Sequence, residues 1–298
     1  MQNTMQRPAH ASGTLIIGGD LTVYRLGFGA MRITGEGVWG PPANKQEAIA
    51  VLHRALELGI NLIDTADSYG PEVSELLIAE ALYPYPKDLV IATKGGLLRP
   101  GPGQWVPDGS PKHLREALEG SLRRLRLERI DIYQFHRPDP KVPFEDSVGE
   151  LAKMRAEGKI RHVGLSNVTI DQLARAQKIV PIVTVQNRYN LANRESENMT
   201  AAQAEEMVDI CARQGIGFIP WFPLATGELA RSGGLLDQIA KRHNAKPSQI
   251  ALAWLLQRSS TMLPIPGTSS VKHLEENVMG ATIKLSKEEF DALNQASK

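Results

Sequence analysis

Four side chains capable of acid–base chemistry each follow a short apolar stretch of the sequence. These residues are Asp64, Tyr69, Lys94 and His136. Carboxylate, phenol, ammonium and imidazole groups are those that proteins use to donate, accept or orient protons in catalysis. Each has an ordinary structural explanation when taken alone: an Asp can cap a helix, a Tyr can pack in a core and a His can be a structural hydrogen-bonding group. Lys94 is the least ordinary of the four, because burial of a lysine is disfavoured.

The stretches before these residues belong to a regular alternation of predicted strands and helices. Each predicted strand is short, apolar and bounded by turn residues, as expected for a strand buried on both faces. Eight such strands, nearly all followed by a helix, predict a (β/α)8 barrel, in which active-site residues come from the carboxyl ends of the strands. The four side chains are therefore expected on one rim. The predicted strands are 26–30, 60–63, 89–93, 130–135, 160–165, 182–186, 216–220 and 262–265.

Two further features define the expected organisation of the chain. An open doubly wound sheet usually carries G-x-G-x-x-G after its first strand, but here Gly27-Phe28-Gly29 is followed by Ala30-Met31-Arg32. Ahead of the barrel, residues 14–24 contain two β-rich runs around Gly18-Gly19-Asp20, which predicts a hairpin. We expect a disordered N-terminal extension over residues 1–13 and a single barrel domain over residues 14–298.

Composition and charge exclude several classes of protein. The chain has 298 residues and a formal net charge of +1, which gives no electrostatic footprint for nucleic acid or an anionic membrane. The single cysteine, Cys211, cannot form an internal disulfide, and we predict no metal site. No apolar run is long enough for a membrane helix, and residues 1–12 lack the apolar core of a secretory signal. We expect a cytoplasmic protein; its oligomeric state is open and a monomer is allowed.

Taken together and in order, the motifs resemble the aldo-keto reductase family over about residues 14–298. Each motif is weakly specific by itself, and the specificity comes from their occurrence in this order. The resemblance implies a TIM barrel whose bottom is closed by the N-terminal hairpin, and an NAD(P)H-dependent oxidoreductase. The matching residues are Asp64 and Tyr69 in Asp-x-x-x-x-Tyr-Gly, Lys94 in Ala-Thr-Lys, His136 after Gln-Phe, Gly164-Leu165-Ser166-Asn167, Gln186-Asn187-Arg188-Tyr189-Asn190, and Pro264-Ile265-Pro266-Gly267-Thr268 with Glu276-Asn277.

The resemblance also implies a role for each acid–base residue. Reduction of an aldehyde or ketone needs a hydride on carbon and a proton on oxygen, and Tyr69 would donate the proton. A free phenol has a pKa of about 10, and the ammonium of Lys94 would lower that pKa by favouring the phenolate. Asp64 would hold Lys94 in place. His136 would hydrogen-bond the substrate oxygen and orient it.

By the same resemblance, a nicotinamide dinucleotide would lie extended across the rim. Ser166, Asn167 and Gln186 would hydrogen-bond the carboxamide, and Trp221 would stack on the nicotinamide ring where the family usually has Tyr. Loops after the seventh and eighth strands often form the phosphate site of a barrel. The residues expected to bind the cofactor are Ser166, Asn167, Gln186, Trp221, Phe222, Leu224, Thr226, Gly227, Gly267, Thr268, Ser269, Lys272, His273, Glu276 and Asn277.

The choice between NADPH and NADH depends on the segment after the eighth strand. The family often places basic residues here to bind the 2′-phosphate of NADP, but this chain has Gly267, Ser270 and His273, with Lys272 as the nearest strong cation. A dianionic phosphate is best held by a fixed positive partner, so this segment weakens the preference. NADPH is the expected cofactor, and NADH is possible.

The expected substrate is a small carbonyl compound bound between the loops that follow the first and third strands. Met31, Trp39 and Trp105 would line this pocket, although Trp105 can equally be a surface anchor that pins its own loop. Residues 37–42 and 265–270 resemble a bacterial subgroup that includes pyridoxal reductases. Pyridoxal is therefore a candidate substrate.

Two other functions remain open on the sequence. Lys94 also suits a Schiff-base-forming lyase, because a lysine amine can form an imine with a carbonyl substrate. The family that the chain resembles also includes β-subunits associated with channels. A non-catalytic, nicotinamide-binding regulatory subunit is the third hypothesis.

Overall fold

Strands and helices alternate along the chain in the computed structural model, which describes residues 7–195, 198–224 and 233–296. The strands are β1 (Thr14–Ile17), β2 (Leu21–Tyr24), β3 (Phe28–Gly29), β4 (Leu62–Asp64), β5 (Val90–Gly95), β6 (Leu97–Leu98), β7 (Val106–Pro107), β8 (Ile130–Phe135), β9 (Ile160–Ser166), β10 (Ile182–Arg188) and β11 (Gly217–Trp221). The helices are α1 (Lys45–Glu57), α2 (Val73–Leu82), α3 (Pro111–Leu125), α4 (Phe144–Ala156), α5 (Ile170–Gln177), α6 (Ala201–Gln214), α7 (Leu235–Arg242), α8 (Pro247–Arg258), α9 (Val271–Val278) and α10 (Lys287–Ala296).

Seven parallel strands form one curled sheet in the order β3-β4-β5-β8-β9-β10-β11. Residues 262–265 close it, since Leu263 N donates to Phe218 O at 2.8 Å and Gly27 N donates to Pro264 O at 3.0 Å. This predicted eighth strand is irregular, because Pro264 has no N–H to donate to a neighbour. The fold is the predicted (β/α)8 TIM barrel.

Helices surround the sheet and begin where local capping signals occur. Asn44 accepts a hydrogen bond from Glu47 N at 3.0 Å at the start of α1, and Ser110 accepts one from His113 N at 3.2 Å at the start of α3. Pro111 occupies the first helical position, where its missing N–H costs nothing. Helices and strands share one large apolar core. None of the helices in the described part of the chain is both long and apolar enough to span a membrane.

The hairpin of β1 and β2 closes the amino end of the barrel, as predicted. Its side chains belong to the apolar cluster that fills the barrel interior. Gly18 has φ +62°, and a Cβ there would lie 2.2 Å from the His162 ring, so the turn requires glycine. His162 Nε2 lies 2.6 Å from Asp20 Oδ1. The members of the cluster are Ile17, Leu21, Val23, Leu62, Val90, Ala92, Ile132, Val183, Ile219, Leu263 and Ile265.

Two local features differ from the sequence expectations. Residues 1–13 were expected to be disordered, but Pro8–Ser12 form a 3-10 helix, in which Ala9 is buried and its N–H donates to Leu58 O. Residues 1–6 lie outside the described part of the chain. The loop after β5 contains the small antiparallel hairpin of β6 and β7. Its two-residue strands are too short to produce a recognisable alternation in the sequence.

Candidate active site

Asp64 and Tyr69 are held by the loop that links β4 to α2. Asp64 is the last residue of β4, and Tyr69 N donates to Ala66 O at 3.2 Å within the loop. Thr65 Oγ1 and Ser74 Oγ are 2.7 Å apart and tie the loop to the start of α2. The loop is therefore a hydrogen-bonded support that turns the Tyr69 side chain back over the end of the barrel.

Lys94, which points inward from β5, joins Asp64 to Tyr69. Its Nζ donates to Asp64 Oδ1 at 2.6 Å, to Thr65 O at 2.8 Å and to Tyr69 Oη at 3.2 Å. These three bonds use all the protons of the ammonium group. Asp64 Oδ2 also accepts from Gln134 Nε2 at 2.9 Å and from Gln186 Nε2 at 2.8 Å. The structure therefore brings together three of the four predicted catalytic residues.

The charge of Lys94 is favoured in spite of its burial. Burial opposes the ammonium form, but attraction to the Asp64 carboxylate and contact with Tyr69 raise the pKa of Lys94 above its usual value. Lys94 has 0% of its side chain exposed. A cation that is buried, fully hydrogen-bonded and held protonated is not available as an amine nucleophile. This geometry argues against the Schiff-base hypothesis.

From the sequence the pKa of Tyr69 was expected to be lowered, but in the structure it is raised. Burial raises the pKa of the Tyr69 phenol, and the opposing effect of the Lys94 ammonium only partly offsets it. The phenol therefore keeps its proton at neutral pH. Because Lys94 donates to the phenol oxygen, the hydroxyl proton of Tyr69 remains free for another acceptor.

His136 completes the group from the end of β8. Its Nδ1 lies 3.3 Å from Ser68 Oγ, and its ring packs edge-on to Tyr69 with centroids 5.9 Å apart. Burial, followed by the cations Lys94, Arg137 and Arg99, holds the pKa of His136 well below its usual value. The imidazole is therefore neutral at pH 7, and it can orient a substrate oxygen but cannot act as a charged acid.

The site lies in a cleft with two lobes, and the two lobes meet at Tyr69. We call the first the Gly267 lobe; it has a volume of about 320 Å³ and is lined by Gly29, Met31, Arg32, Asp64, Tyr69, Gln186, Trp221, Phe222, Pro223, Leu224, Ile265, Pro266 and Gly267. We call the second the Trp105 lobe; it has a volume of about 580 Å³ and is lined by Met31, Arg32, Gly37, Val38, Tyr69, Leu97, Gly103, Trp105, His136, Arg137, Ser166, Asn167, Gln186, Trp221 and Phe222. Such a cleft can hold two reactants, one on each side of the phenol.

Of the predicted nicotinamide residues, Gln186 and Trp221 line both lobes, whereas Ser166 and Asn167 line the Trp105 lobe. Trp221 Nε1 donates to Asn167 Oδ1 at 3.1 Å, and Asn167 Nδ2 donates to Ser166 Oγ at 3.1 Å. Gln186 lines both lobes, but its amide N–H is bonded to Asp64, so it acts first as a support for the carboxylate. Phe222 is 47% exposed. The half-buried Trp221 and the exposed Phe222 stand at 64° to each other, so each offers its own apolar ring face on which a nicotinamide can stack, and the residues present fit the group.

The residues predicted to bind the phosphates and the adenosine of the cofactor do not all line the cleft. Leu224 and Gly267 line the Gly267 lobe, and Thr268 is buried, with its Oγ1 accepting from Ser270 N at 3.1 Å. Ser269, Lys272 and His273 are exposed, and Asn277 is buried. Glu276 Oε1 lies 2.5 Å from Lys246 Nζ, so its carboxylate already has a partner. Thr226 and Gly227 lie outside the described residues.

The three predicted substrate-pocket residues do not all reach the cavity. Met31 and Trp105 line the Trp105 lobe, but Trp39 does not, and Gly37 and Val38 take its place. Trp39 instead lies beside Arg99, whose guanidinium carbon is 5.5 Å from the Trp39 ring centroid.

Arg99 is a supporting residue that the sequence analysis missed. Its guanidinium carbon lies 3.6 Å from the Trp105 ring centroid, and its Nη1 donates to Ser68 O at 2.9 Å. Arg99 thus links the wall of the Trp105 lobe to the loop that carries Tyr69. It lies in no motif that would distinguish it from a surface arginine.

Among the described residues, no group of three or more His, Cys, Asp or Glu side chains is placed to hold a metal ion.

Comparison with known proteins agrees with the (β/α)8 barrel fold. Residues 25–298 match the Aldo/keto reductase family. The chain is 54% identical over 290 residues to an uncharacterized oxidoreductase of Schizosaccharomyces pombe, covering 97% of this chain and 92% of the relative. It is 44% identical over 287 residues to pyridoxine 4-dehydrogenase of Escherichia coli, covering 94% and 97%. An aldo/keto reductase from Klebsiella pneumoniae, solved in complex with NADP and acetate, superposes with a TM-score of 0.78 at 25% identity, covering 95% of this chain and 94% of that one.

The chain belongs to the aldo/keto reductase family. It is an NAD(P)H-dependent oxidoreductase built on a TIM barrel, and the family acts on small-molecule carbonyl substrates.

Proposed function

We propose that this enzyme reduces aldehydes and ketones to alcohols, with Tyr69 as the proton donor and NADPH as the hydride source. The observation that carries the proposal is the hydrogen bond from Lys94 Nζ to Tyr69 Oη, 3.2 Å long. It leaves the phenol proton free at the point where the two lobes meet. Trp221 and Phe222 would hold the nicotinamide, which supplies the hydride when it is bound.

Each catalytic residue has one task in this scheme. A carbonyl oxygen in the Trp105 lobe would accept hydrogen bonds from Tyr69 and from the neutral imidazole of His136. As the carbonyl carbon receives the hydride, the Tyr69 proton moves to the oxygen and an alcohol forms. The phenolate that remains is stabilised by Lys94, and a proton from solvent restores the phenol. Asp64 keeps Lys94 beside the phenol throughout.

Replacing the proton donor tests the reaction. Tyr69→Phe keeps the ring and removes the hydroxyl, and loss of a general acid typically costs about 10²- to 10⁴-fold in rate. Affinity for NADPH should change little, because the phenol serves the carbonyl substrate. Tyr85→Phe is a matched control, since the Tyr85 hydroxyl donates to Leu125 O far from the site. The assay follows oxidation of NADPH with a panel of aldehydes. Full turnover by Tyr69→Phe would refute the assignment.

The preference for NADPH rests on fewer contacts. We propose that Lys272 and His273, exposed at the start of α9, lie beside the 2′-phosphate. Binding of NADP by the Klebsiella relative supports NADPH as the cofactor. Ser270→Arg should add a charge-assisted contact and tighten NADPH binding by about 10-fold or more, with little effect on NADH. Equal tightening of both cofactors, measured by fluorescence titration, would place residue 270 away from the 2′ position.

Pyridoxal is the candidate substrate that the comparisons favour. The relative from Escherichia coli is named pyridoxine 4-dehydrogenase and is 44% identical. We expect NADPH-dependent reduction of pyridoxal and NADP-dependent oxidation of pyridoxine. An enzyme that reduces benzaldehyde but turns over neither vitamer would remove this substrate while leaving the reductase assignment intact.

A further inference from the structure

His136 is held in place by its main chain and by the packing of its ring. Its backbone N–H donates to Gly95 O at 2.9 Å, and its carbonyl oxygen accepts from Asn167 Nδ2 at 3.0 Å. Its ring stands at 83° to that of Tyr69. The imidazole therefore has a defined position, and what remains to be set is which of its two nitrogens carries the proton.

The place of that proton decides what His136 can do for a substrate. Burial and nearby cations keep the pKa of His136 well below its usual value, so the ring carries a single N–H at neutral pH. His136 lines the Trp105 lobe, and its Nε2 makes no hydrogen bond within the described part of the chain. A proton on Nε2 makes this nitrogen a donor to a carbonyl oxygen. A proton on Nδ1 leaves a lone pair on Nε2, which repels that oxygen.

The hydroxyl of Ser68 decides between the two tautomers. Ser68 is 2% exposed, and among the described residues the one hydrogen-bond contact of its Oγ is with His136 Nδ1, at 3.3 Å. A proton on Nδ1 would point at Ser68 Oγ and leave the serine hydroxyl proton buried without an acceptor, which is unfavourable. When the hydroxyl donates to Nδ1 instead, both groups are satisfied and the ring proton lies on Nε2.

Arg99 supports Ser68 from the other side. Its Nη1 donates to Ser68 O at 2.9 Å, and its Nε donates to Gln104 O at 3.0 Å. The main chain of Ser68 is thereby tied to the loop that carries Trp105. Because both the carbonyl of Ser68 and the main chain of His136 are fixed, the contact between the hydroxyl and Nδ1 is part of a built arrangement.

We propose that Ser68 is a positioning residue of this enzyme, whose hydroxyl donates to His136 Nδ1 and so keeps the imidazole proton on Nε2. The inference rests on the proposed function, because it concerns how His136 holds the carbonyl oxygen. Tyr69 and His136 then both offer a hydrogen-bond donor to that oxygen. Ser68 lines neither lobe, so it acts on the substrate only through His136.

Nitrogen NMR of the histidine rings tests the assignment in the wild-type enzyme. The protein is prepared with isotope-labelled histidine, and His136, one of seven histidines, is identified by the signals that His136→Gln lacks. The chemical shift of a ring nitrogen shows whether it carries a proton. We expect Nε2 to be protonated and Nδ1 to be unprotonated at pH 7. A proton on Nδ1 would overturn the proposal.

Variants of two buried serines show what sets the tautomer. Ser68→Ala should bring the shifts of the two His136 nitrogens closer together, because the ring then exchanges between tautomers, whereas Ser68→Thr keeps a hydroxyl and should keep them apart. Ser74→Ala is the matched control: Ser74 is 0% exposed and its Oγ bonds to Thr65 Oγ1 in the same loop, but not to His136. It should leave the shifts of His136 unchanged. Unchanged shifts in Ser68→Ala would show that another contact sets the tautomer, and the proposal would fail.

Kinetics then connect the tautomer to the reaction. We expect Ser68→Ala to lower kcat for aldehydes by about 3- to 10-fold, the equivalent of one net hydrogen bond, with no change in the Kd of NADPH. Ser68→Thr should recover most of this loss. Full turnover by a Ser68→Ala enzyme with altered His136 shifts would overturn the proposal. An enzyme that carries the proton on Nε2 but reduces no aldehyde would refute the proposed function and still support the tautomer. An active reductase with the proton on Nδ1 would refute the role of Ser68 alone.

Discussion

The two ends of the barrel each contain a carboxylate 2.6 Å from a basic group, but the two pairs are placed very differently. At the carboxyl end, Asp64 meets Lys94, and their side chains are 2% and 0% exposed. At the amino end, Asp20 in the hairpin turn meets His162, and the Asp20 side chain is 49% exposed. The two pairs have the same distance between their closest nitrogen and oxygen atoms, but they differ in how far their carboxylates are exposed to solvent.

That difference determines what each pair can do. Water screens the Asp20 pair, so its contribution to stability is small. At the other end the protein has replaced water, and each member of the Asp64 pair would be costly to bury without its partner. A strong local charge beside a phenol is useful for catalysis, whereas a screened pair at the hairpin only positions a turn. The comparison predicts that equivalent changes at the two ends will have unequal effects.

The largest effect is expected for Lys94→Met. The methionine keeps most of the apolar stem, but it leaves the Asp64 carboxylate buried without its cation and Tyr69 without the charge that stabilises its phenolate. Breaking one partner of a buried pair typically costs about 3–5 kcal/mol, and we expect turnover to fall by about 10²- to 10⁴-fold. Urea unfolding and NADPH oxidation measure the two losses. If the variant kept both its stability and its turnover, burial would not make the Asp64–Lys94 pair more important than the exposed Asp20–His162 pair.

The next effect is expected at the hairpin turn, from Gly18→Ala. A Cβ at Gly18 meets the His162 ring at 2.2 Å, whereas one at Gly19 meets nothing within 4 Å, and both residues have positive φ. Gly19→Ala should therefore cost about 1–2 kcal/mol from the backbone alone, and Gly18→Ala about 1–3 kcal/mol more from the clash. Turnover should be unchanged in both. Equal unfolding free energies for the two variants would mean that His162 moves away without cost.

A smaller effect is expected for Asp20→Asn. Hydrogen bonds from His162 and Arg161 hold the pKa of Asp20 below its usual value, although burial acts in the opposite direction. The stability from this shift is present above the unfolded pKa of about 3.9 and is lost as pH falls through the folded pKa. We expect the variant to lose at most about 1 kcal/mol at pH 7. The difference from wild type should shrink at pH 3, and a loss that persists there would point to packing instead.

The smallest effect is expected from pH on the active end. The pKa values of Lys94 and Tyr69 are raised and that of His136 is lowered. Tyr69 and Lys94 therefore keep their protons as pH rises, and His136 stays neutral as pH falls. Reduction at saturating NADPH should be nearly constant between about pH 6 and 9. A decline between pH 7 and 9 would show instead that Lys94 outweighs burial and brings the Tyr69 pKa down.

Much of the fold was predictable because its signals are local. The hairpin, the helix starts at Asn44 and Ser110, and the order of strands follow from turn residues, caps and apolar runs. The closing segment at 262–265 was correctly placed, but it is irregular because Pro264 has no N–H to donate to a neighbouring strand. The hairpin of β6 and β7 escaped prediction because two residues per strand give no periodicity.

The residues of the candidate site also divide into those that the sequence predicted and those that it did not. The four residues that we propose to be catalytic could be picked out from the sequence, because each lies at or just after the end of a strand of a recognisable series. Arg99 was not visible, because its partners Trp105 and Ser68 make it a support only when the chain is folded. Trp39 was predicted to line the substrate pocket; in the structure it lies beside Arg99 and is not part of the lining of the Trp105 lobe.

By itself the sequence determined the barrel, the order of its strands and the identity of Asp64, Tyr69, Lys94 and His136. The tertiary structure decided how those groups behave. Gln186 lies 122 positions from Asp64 along the chain, and only the closed barrel brings their side chains to 2.8 Å. Burial of Tyr69 by many residues raises the pKa of its phenol, Lys94 lowers it, and Asp64 and Asp67 raise it further, so that the net direction is upward. A sequence shows which charges exist, but the solvent that each of them loses is known only when distant segments have packed together.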